Sequence, residues 1–352
     1  MKYQILNNQR EIYKKMLFDI KKAKKEILLE NYIYDKDSIG KEFCEELTKK
    51  AMNGIKVKIL IDSLGSTVNK KFFKKLIDFG GEVRFFRRLK LAFWIIKANH
   101  ERNHRKLLII DNKISYIGSS NISRAHLNFE ELVLRIEGSI AIPLKRSFLR
   151  SWSRFKISNV KKLKRIIHEG IEILEDIPDG KSGSTAKTYH KLIKEAKKNI
   201  LIATPYFFPS RRFERHFKKA IKRGVKVKVI IPKVSDHPSV DLFSSRNLGR
   251  LYRMGLEIYY FKPKILHSKL LIVDDFFLLG SSNLDYRSFL HQFEVNILGK
   301  NKEMIYNLRR HFDYLLKRSM PFNYERWKEK HSITRWKDNF IQWIYSFYEE
   351  YF

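Results

Sequence analysis

One short pattern occurs twice in this chain, and no other feature of the sequence constrains the fold as strongly. The two copies share three residue types at one spacing: His104, Lys106 and Asp111 in NHRKLLIID, and His267, Lys269 and Asp274 in LHSKLLIVD. A Gly-Ser-Ser-Asn stretch follows each copy, at 118–121 and 280–283. So many matched residues in one order are not expected by chance. The sequence therefore predicts a duplicated fold in which each half contributes one histidine.

The spacing inside the pattern has a physical meaning. Side chains two apart on a β-strand point to the same face, so the histidine and lysine of each copy are predicted to lie side by side. The apolar run after them predicts a strand buried on both faces. Glycine then permits a tight reversal, and the hydroxyl and amide groups that follow are donors suited to phosphate oxygens. The predicted phosphate-binding residues are Ser119, Asn121, Ser281 and Asn283.

A glutamate follows each histidine at the same distance. Glu131 lies 27 residues after His104, and Glu294 lies 27 residues after His267. A carboxylate that hydrogen-bonds an imidazole orients the ring and stabilises its protonated form. Each glutamate is therefore predicted to support the histidine of its own copy. Glu130 is an adjacent competitor for the role of Glu131, but the equal spacing favours Glu131.

The repeat extends to the segments around the motifs. Three apolar segments of the first half have counterparts in the second: 23–29 with 196–202, 54–59 with 224–229, and 80–86 with 255–260. Between them, apolar residues recur at a helical period of three to four. Strands that alternate with helices indicate an α/β fold. We predict two pseudo-symmetric α/β/α sandwich lobes, at residues 1–165 and 166–352.

These motifs resemble those of the phospholipase D superfamily, whose HxKxxxxD pattern, followed by Gly-Ser and Asn, is present twice. Within the superfamily the chain is similar to bacterial cardiolipin synthases over nearly its whole length. The stretches that carry this resemblance are LENYI at 29–33, DSLGS at 62–66, TPYFFP at 204–209, GSSNLDYRS at 280–288 and FEVN at 293–296. The resemblance implies mixed sheets and an active site at the interface of the lobes. Many of these synthases carry N-terminal membrane helices, which this sequence is expected to lack.

The residue types also indicate a mechanism. One neutral imidazole attacks phosphorus to form a phosphohistidine, and the other, protonated, gives its proton to the departing oxygen. By analogy with the superfamily, His104 is predicted to be the nucleophile and His267 the acid and base. The motif lysines and asparagines would hold the nonbridging oxygens, so neither a metal nor another cofactor is expected. Asp111 and Asp274 belong to the catalytic motif, but their position further along the strand predicts a structural role.

For cardiolipin synthesis, the resemblance implies that phosphatidylglycerol is the donor, that glycerol leaves and that a second phosphatidylglycerol attacks. A phospholipase D-type hydrolase of phospholipids or nucleic acids is the enzymatic alternative, although most small nucleases of the superfamily carry one motif per chain and dimerise. A third interpretation is a catalytically silent, basic module that binds a membrane or nucleic acid. Headgroup preference, transfer against hydrolysis, the identity of the nucleophile and the oligomeric state stay open.

The chain is strongly basic, with 72 Lys and Arg against 38 Asp and Glu and a formal net charge of +34. Such a charge attracts polyanions. With the resemblance, it predicts an anionic membrane surface as the partner and makes nucleic acid a weaker prediction. No apolar run approaches the roughly 18 to 20 residues that span a bilayer, and the single Cys44 allows no intrachain disulfide. Peripheral attachment at the cytoplasmic side of the cell membrane is expected.

Two aromatic segments are candidates for membrane contact. The first half has an insertion before its histidine that the second half lacks, and Phe93 and Trp94 in it are predicted to contact lipid. Packing in the core is the alternative. The C-terminal segment repeats aromatic residues at helical spacing: Trp336, Phe340, Trp343, Phe347 and Tyr351. This stripe predicts an amphipathic helix that either binds the membrane or packs on the second lobe.

Overall fold

The computed structural model describes residues 1–87, 101–154, 166–178, 183–236 and 238–329. Phe93, Trp94 and the aromatic C-terminal segment lie outside these ranges, so what the sequence predicts for them stays a prediction. Among the described residues, no helix combines the length and the apolar character needed to cross a bilayer.

The first half builds one sheet and the helices that cover it. Its strands are β1 (Lys2–Asn8), β2 (Glu26–Asn31), β3 (Lys56–Asp62), β4 (Glu82–Phe86), β5 (Arg102–Asn103), β6 (Leu107–Ile110), β7 (Ile114–Gly118) and β8 (Phe129–Glu137). Its helices are α1 (Gln9–Lys22), α2 (Ser38–Met52), α3 (Lys74–Asp78) and α4 (Ala141–Arg154), with a 3₁₀ turn at Arg124–Asn128.

The second half repeats this arrangement. Its strands are β9 (Ile166–His168), β10 (Ile171–Asp176), β11 (Asn199–Ala203), β12 (Lys226–Pro232), β13 (Glu257–Phe261), β14 (Ile265–Leu266), β15 (Leu270–Val273), β16 (Phe276–Gly280), β17 (Gln292–Gly299) and β18 (Ser319–Pro321). Its helices are α5 (Ser184–Glu195), α6 (Arg211–Lys222), α7 (Pro238–Arg253), α8 (Tyr286–Leu290) and α9 (Lys302–Lys317).

The two sheets share one strand order. The first runs β1-β8-β7-β6-β2-β3-β4, and the second runs β10-β17-β16-β15-β11-β12-β13, with β18 and β9 added at its edges. In each sheet three neighbouring strands are parallel and the others are antiparallel, so both sheets are mixed. The predicted pair of similar α/β lobes is confirmed. The predicted division of the chain at residue 165 stays a prediction.

Alternating residues of the central strands face different cores. On β2, Ile27 and Leu29 pack with the helices α1 to α3, whereas Leu28 enters a core that contains residues of both lobes, including Leu201 of β11. Helices α4 and α9 contribute to this shared core. Burying one such aliphatic side chain stabilises a fold by about 1.5–3 kcal/mol. The lobes are therefore joined by a continuous apolar layer.

Each lobe also donates a two-residue strand to the other lobe's sheet. β5 pairs with β17 and β14 pairs with β8, both in parallel. The next residue continues each pairing, because His104 N donates to Phe293 O at 3.0 Å and His267 N donates to Glu130 O at 2.9 Å. The exchange places each motif histidine against the strand that carries the other half's glutamate.

Candidate active site

The exchanged strands produce two crossed histidine–glutamate pairs. His104 Nδ1 lies 2.9 Å from Glu294 Oε1, and His267 Nδ1 lies 2.9 Å from Glu131 Oε2. All four side chains are buried. The prediction that each glutamate supports the histidine of its own copy is wrong. The pairing is exchanged because β5 and β14 cross to the opposite sheet immediately before each histidine.

The glycine before each Ser-Ser-Asn stretch allows the glutamate strand to approach. A Cβ on Gly118 would lie 2.3 Å from Leu132 O, and one on Gly280 would lie 2.4 Å from Val295 O. Each of these carbonyls belongs to the residue after a paired glutamate. The glycines end β7 and β16, so close approach between strands, rather than the predicted tight reversal, is what requires them.

The motif lysines fold back onto the histidine backbone. Lys106 Nζ donates to His104 O at 2.7 Å, and Lys269 Nζ donates to His267 O at 2.9 Å. Lys269 Nζ also lies 3.1 Å from His267 Nε2, whereas the described residues provide no hydrogen-bond partner for the Nε2 of His104. A lysine therefore lies beside each imidazole, but only the Nε2 of His267 is in hydrogen-bond contact with a lysine among the described residues.

The first pair is held in an uncharged form. Burial lowers the pKa of the His104 imidazole well below its usual value, and the charges of Lys106 and Lys269 lower it further. Burial also raises the pKa of the Glu294 carboxyl to about 8, against the opposing charge of Lys106. Near pH 7 this pair has a neutral imidazole and a largely protonated carboxyl. A neutral imidazole is the form that can attack phosphorus.

The second pair has an ionised carboxylate. Burial alone would raise the pKa of Glu131, but the charge and hydrogen bond of His267, with the charge of Lys269, lower it to about 2. Burial lowers the pKa of His267, while Glu131 opposes that shift. The fixed negative charge of Glu131 supports a proton on this imidazole, which suits a general acid.

Burial also makes the two lysines weak bases. Burial and the charge of Lys269 lower the pKa of Lys106 to about 7. Burial lowers the pKa of Lys269 to about 8, although Glu131 opposes this shift. An anion between them restores both charges, because an opposite charge nearby favours the charged form. The cluster is therefore suited to a phosphate group.

The structure contradicts the predicted phosphate-binding role of Ser119 and Ser281. The Ser119 hydroxyl donates to Leu132 O at 3.2 Å and accepts from Leu132 N at 2.9 Å. The Ser281 hydroxyl donates to a Glu294 carboxyl oxygen and accepts from Val295 N at 3.0 Å. Both side chains are buried. Since their hydrogen bonds are already made to the glutamate strands, these serines position those strands.

The two asparagines are buried beside the site. Asn121 Oδ1 accepts from Ile33 N at 3.3 Å. Asn283 N donates to Ser288 Oγ at 3.2 Å, and its Oδ1 is buried with no hydrogen-bond partner within the described part of the chain. Their contribution to holding phosphate oxygens stays a prediction.

The motif aspartates lie at the far end of β6 and β15. The Asp111 carboxylate accepts hydrogen bonds from the backbone N–H groups of residues 24, 25 and 26 at 2.7–3.0 Å. Asp274 accepts from residues 197, 198 and 199 at 2.7–2.9 Å. Both have left-handed backbones, with φ of 54° and 46°. They tie the start of β2 and β11 to the motif strand, as a structural role requires.

Buried ion pairs fix the segment that carries the first histidine. Asp62 pairs with Arg102 of β5 at 3.2 Å and accepts from the backbone N–H of Asn103 at 2.8 Å. Arg105 contacts Glu30 of its own lobe at 3.2 Å and Glu175 of the other lobe at 3.4 Å. Removing one partner of such a buried pair costs about 3–5 kcal/mol. The pairs therefore hold the first motif against both lobes.

Two aromatic residues that neighbour the histidines were not among the predicted site residues. The Tyr32 ring lies edge-on to His104, with ring centroids 5.0 Å apart, and Lys106 Nζ lies 5.2 Å from the Tyr32 ring centroid. His126 stacks on His267 with centroids 6.0 Å apart. His126 precedes Glu131 by five residues, where the second copy has Phe289. A search for repeated residues therefore passes over it.

The described residues contain no group of three or more His, Cys, Asp or Glu side chains that could hold a metal ion. Their own groups supply a nucleophile, an acid and cations for a phosphodiester. Two imidazoles, each paired with a buried carboxyl group, and two lysines suit a double displacement at phosphorus.

Comparison with known proteins agrees with this arrangement. A family model described as cardiolipin synthase, PLD-like domain, matches residues 16–152 and 189–316. A cardiolipin synthase of Clostridium perfringens is 31% identical over 353 residues, covering 95% of this chain and 74% of that protein. The major cardiolipin synthase of Bacillus subtilis is 32% identical over 354 residues, covering 95% of this chain and 73% of that protein.

Among solved structures, the phosphatidylserine synthase of Haemophilus influenzae has a similar fold. Its TM-score is 0.75, over 96% of this chain and 94% of that one, at 15% sequence identity. The predicted resemblance is confirmed: this chain belongs to the cardiolipin synthase family of phospholipase D-like proteins.

Proposed function

We propose that this chain is a phosphatidyltransferase that converts two molecules of phosphatidylglycerol to cardiolipin and glycerol. The observation that carries the proposal is the pair of crossed histidine–glutamate contacts, with a lysine beside each histidine, at the junction of two lobes. The similarity to cardiolipin synthases over nearly the whole chain supports phosphatidylglycerol as the substrate.

The first displacement forms the covalent intermediate. Nε2 of neutral His104 attacks phosphorus, a P–N bond forms, and the P–O bond to the glycerol headgroup breaks. His267 gives its proton to the departing glycerol oxygen. Lys106, Lys269 and the asparagines Asn121 and Asn283 neutralise or donate to the nonbridging oxygens. The product is a phosphatidyl-histidine and free glycerol.

The second displacement returns the enzyme to its starting state. The glycerol hydroxyl of another phosphatidylglycerol loses its proton to His267 and attacks phosphorus. The new P–O bond forms as the P–N bond breaks, which releases cardiolipin and neutral His104. No oxidant or other co-reactant enters this sequence, so atoms and protons balance.

The charge of the chain supports a membrane surface as the location of this chemistry. A formal net charge of +34 favours an anionic lipid surface, and we propose peripheral attachment on the cytoplasmic side. We also propose that residues 1–165 and 166–352 act as the two halves of one site, and that Phe93 and Trp94 contact lipid.

Lipid mass spectrometry tests the function directly. Purified protein incubated with phosphatidylglycerol vesicles should produce cardiolipin and glycerol in equal amounts, and quenching during turnover should trap an acid-labile phosphatidyl group on His104. His104→Ala and His267→Ala should each abolish turnover. Phosphatidic acid as the sole product would indicate a hydrolase. Digestion of DNA without any lipid product would indicate a nuclease and overturn the proposal.

A further inference from the structure

Two exposed apolar residues occupy equivalent loops of the two lobes. Leu64 is the second residue after β3 and is 44% exposed, and Val234 is the second residue after β12 and is 61% exposed. β3 and β12 hold the same place in the two sheets. The pseudo-symmetry of the fold therefore repeats an exposed aliphatic side chain at the loop that follows the same central strand.

Both loops lie close to the reacting histidines. Leu64 N donates to Asp62 Oδ1 at 2.8 Å, and the other oxygen of Asp62 accepts from Asn103 N, which directly precedes His104. In the second lobe, Val234 lies two residues before Asp236. Asp236 Oδ1 accepts from the Tyr206 hydroxyl at 2.5 Å, and Phe207, the next residue, bridges to Leu284, which directly follows Asn283 of the second motif. The negative charge of Asp236 also acts to raise the pKa of His267.

The polar groups of the first loop are turned inward. Ser63 Oγ donates to Phe86 O at 2.8 Å, and Ser66 Oγ donates to Tyr32 O at 2.9 Å. Gly65 packs so closely on Tyr32 that a Cβ would lie 2.7 Å from the Tyr32 carbonyl oxygen. Leaving an aliphatic side chain in water does not stabilise the folded loop, because the favourable free energy comes from burying apolar surface.

Exposed cations accompany both loops. Lys233 directly precedes Val234, and Lys36 belongs to a segment joined to the first loop, because Lys36 N donates to Thr67 Oγ1 at 2.9 Å. The exposed Arg287 lies one residue before Ser288, whose hydroxyl accepts from the backbone N–H of Asn283 at 3.2 Å. Aliphatic tips flanked by cations match a bilayer interface, where acyl chains lie beneath anionic headgroups.

We infer that Leu64 and Val234 insert into the acyl region of an anionic bilayer while Lys36, Lys233 and Arg287 contact its headgroups. The opening of the site then faces the lipid surface, and the scissile phosphate enters at headgroup level without leaving the membrane. This inference rests on the proposed lipid substrate, but membrane binding can be measured without turnover.

The test replaces both tips in the full-length protein. Leu64→Ser/Val234→Ser should reduce co-sedimentation with phosphatidylglycerol vesicles about tenfold, and activity on those vesicles should fall in parallel. Activity on monomeric short-chain phosphatidylglycerol should not change. The matched control is Ile167→Ser/Phe276→Ser, which alters residues of similar exposure, 59% and 38%, on strands away from the histidines and should bind vesicles normally.

Three outcomes would overturn the inference: unchanged vesicle binding by the tip variant, an equal loss in the control, or a parallel loss of activity on monomeric lipid. A wild-type protein that binds vesicles through these tips, yet produces no cardiolipin, would instead support the inference and overturn the proposed function.

Discussion

At the residue scale, the two histidine–glutamate pairs are alike in geometry and different in charge. Glu294 has a pKa raised to about 8 by burial, whereas the interaction with His267 outweighs burial and lowers the pKa of Glu131 to about 2. This difference supports the proposal that His104 attacks as a neutral imidazole, while the carboxylate of Glu131 opposes the loss of the proton from His267.

Removing each carboxylate should therefore have unequal consequences. At pH 7, Glu131→Gln removes a full negative charge and should lower kcat by about 10²-fold or more. Glu294→Gln replaces a largely protonated group and should cost about tenfold or less. As pH rises through 8, wild-type Glu294 ionises, so the cost of Glu294→Gln should grow. Rate profiles from pH 6 to 9 measure both effects, and equal, pH-independent losses would contradict the assignment.

The low pKa values of the lysines predict how anions inhibit. Lys106 and Lys269, with pKa values of about 7 and 8, are charged below pH 7 and lose charge above pH 8. The charge of sulfate is constant in this range, so its affinity for the site should be lower at pH 9 than at pH 6 by about tenfold or more. Inhibition constants against vesicle substrate measure this, with uncharged glycerol as the control. A constant sulfate affinity would show that the lysines do not hold the phosphate.

The sequence could identify these residues but not their partners. A spacing of 27 residues from histidine to glutamate is equally consistent with pairing inside one copy and with exchange between copies. Which glutamate pairs with which histidine depends on β5 and β14. These strands are only two residues long, too short for a periodic pattern to predict them. The hydrogen bonds of the serines could not be predicted either, since nothing in Gly-Ser-Ser-Asn shows that the Ser281 hydroxyl donates to Glu294.

At the element scale, the aspartates show how a motif residue can serve the fold. Each follows its motif strand in a left-handed conformation and caps three backbone N–H groups at the start of the neighbouring antiparallel strand. The strands β6 and β15 were predictable because their residues are apolar throughout, whereas β1 and its counterpart β10 were not recognised from the pattern.

Replacing an aspartate should weaken stability rather than chemistry. Asp274→Ala removes three hydrogen bonds to a carboxylate and places alanine at a φ of 46°, so we expect a loss of about 2–4 kcal/mol. Asp274→Asn should lose less, because asparagine tolerates the left-handed region. Thermal melting measures the loss, and kcat per folded molecule should stay near wild type. A large fall in kcat with unchanged melting would indicate a direct chemical role.

At the scale of the whole molecule, duplication was the easiest property to predict, because each half repeats the same strands, glycines and motif. The repeat could not show that the halves share a core and exchange strands, since those contacts join residues far apart in the chain. Both crossed pairs are made within one chain, so we expect the site to need no residue from a second copy.

Mixing inactive variants tests this completeness. His104→Ala and His267→Ala each leave one histidine, and a mixture of the two should remain inactive on phosphatidylglycerol vesicles, because neither chain can borrow the missing residue. Recovery of activity toward one quarter to one half of wild type would show that sites form between chains. Co-expression of the two variants, followed by the same lipid analysis, excludes slow subunit exchange as the reason for a negative result.

The exchange of β5 and β14 has a further consequence for how glycerol leaves the site and the second lipid enters it. Separating the lobes would break the His104–Glu294 and His267–Glu131 contacts together. The protein therefore cannot open by a hinge motion between the lobes and keep its catalytic pairs. In the proposed mechanism, glycerol therefore departs, and the next lipid arrives, while the lobes stay together and the phosphatidyl group remains on His104. Glycerol and the incoming lipid then compete for the same phosphatidyl-enzyme, so the yield of cardiolipin should depend on how fast glycerol is cleared.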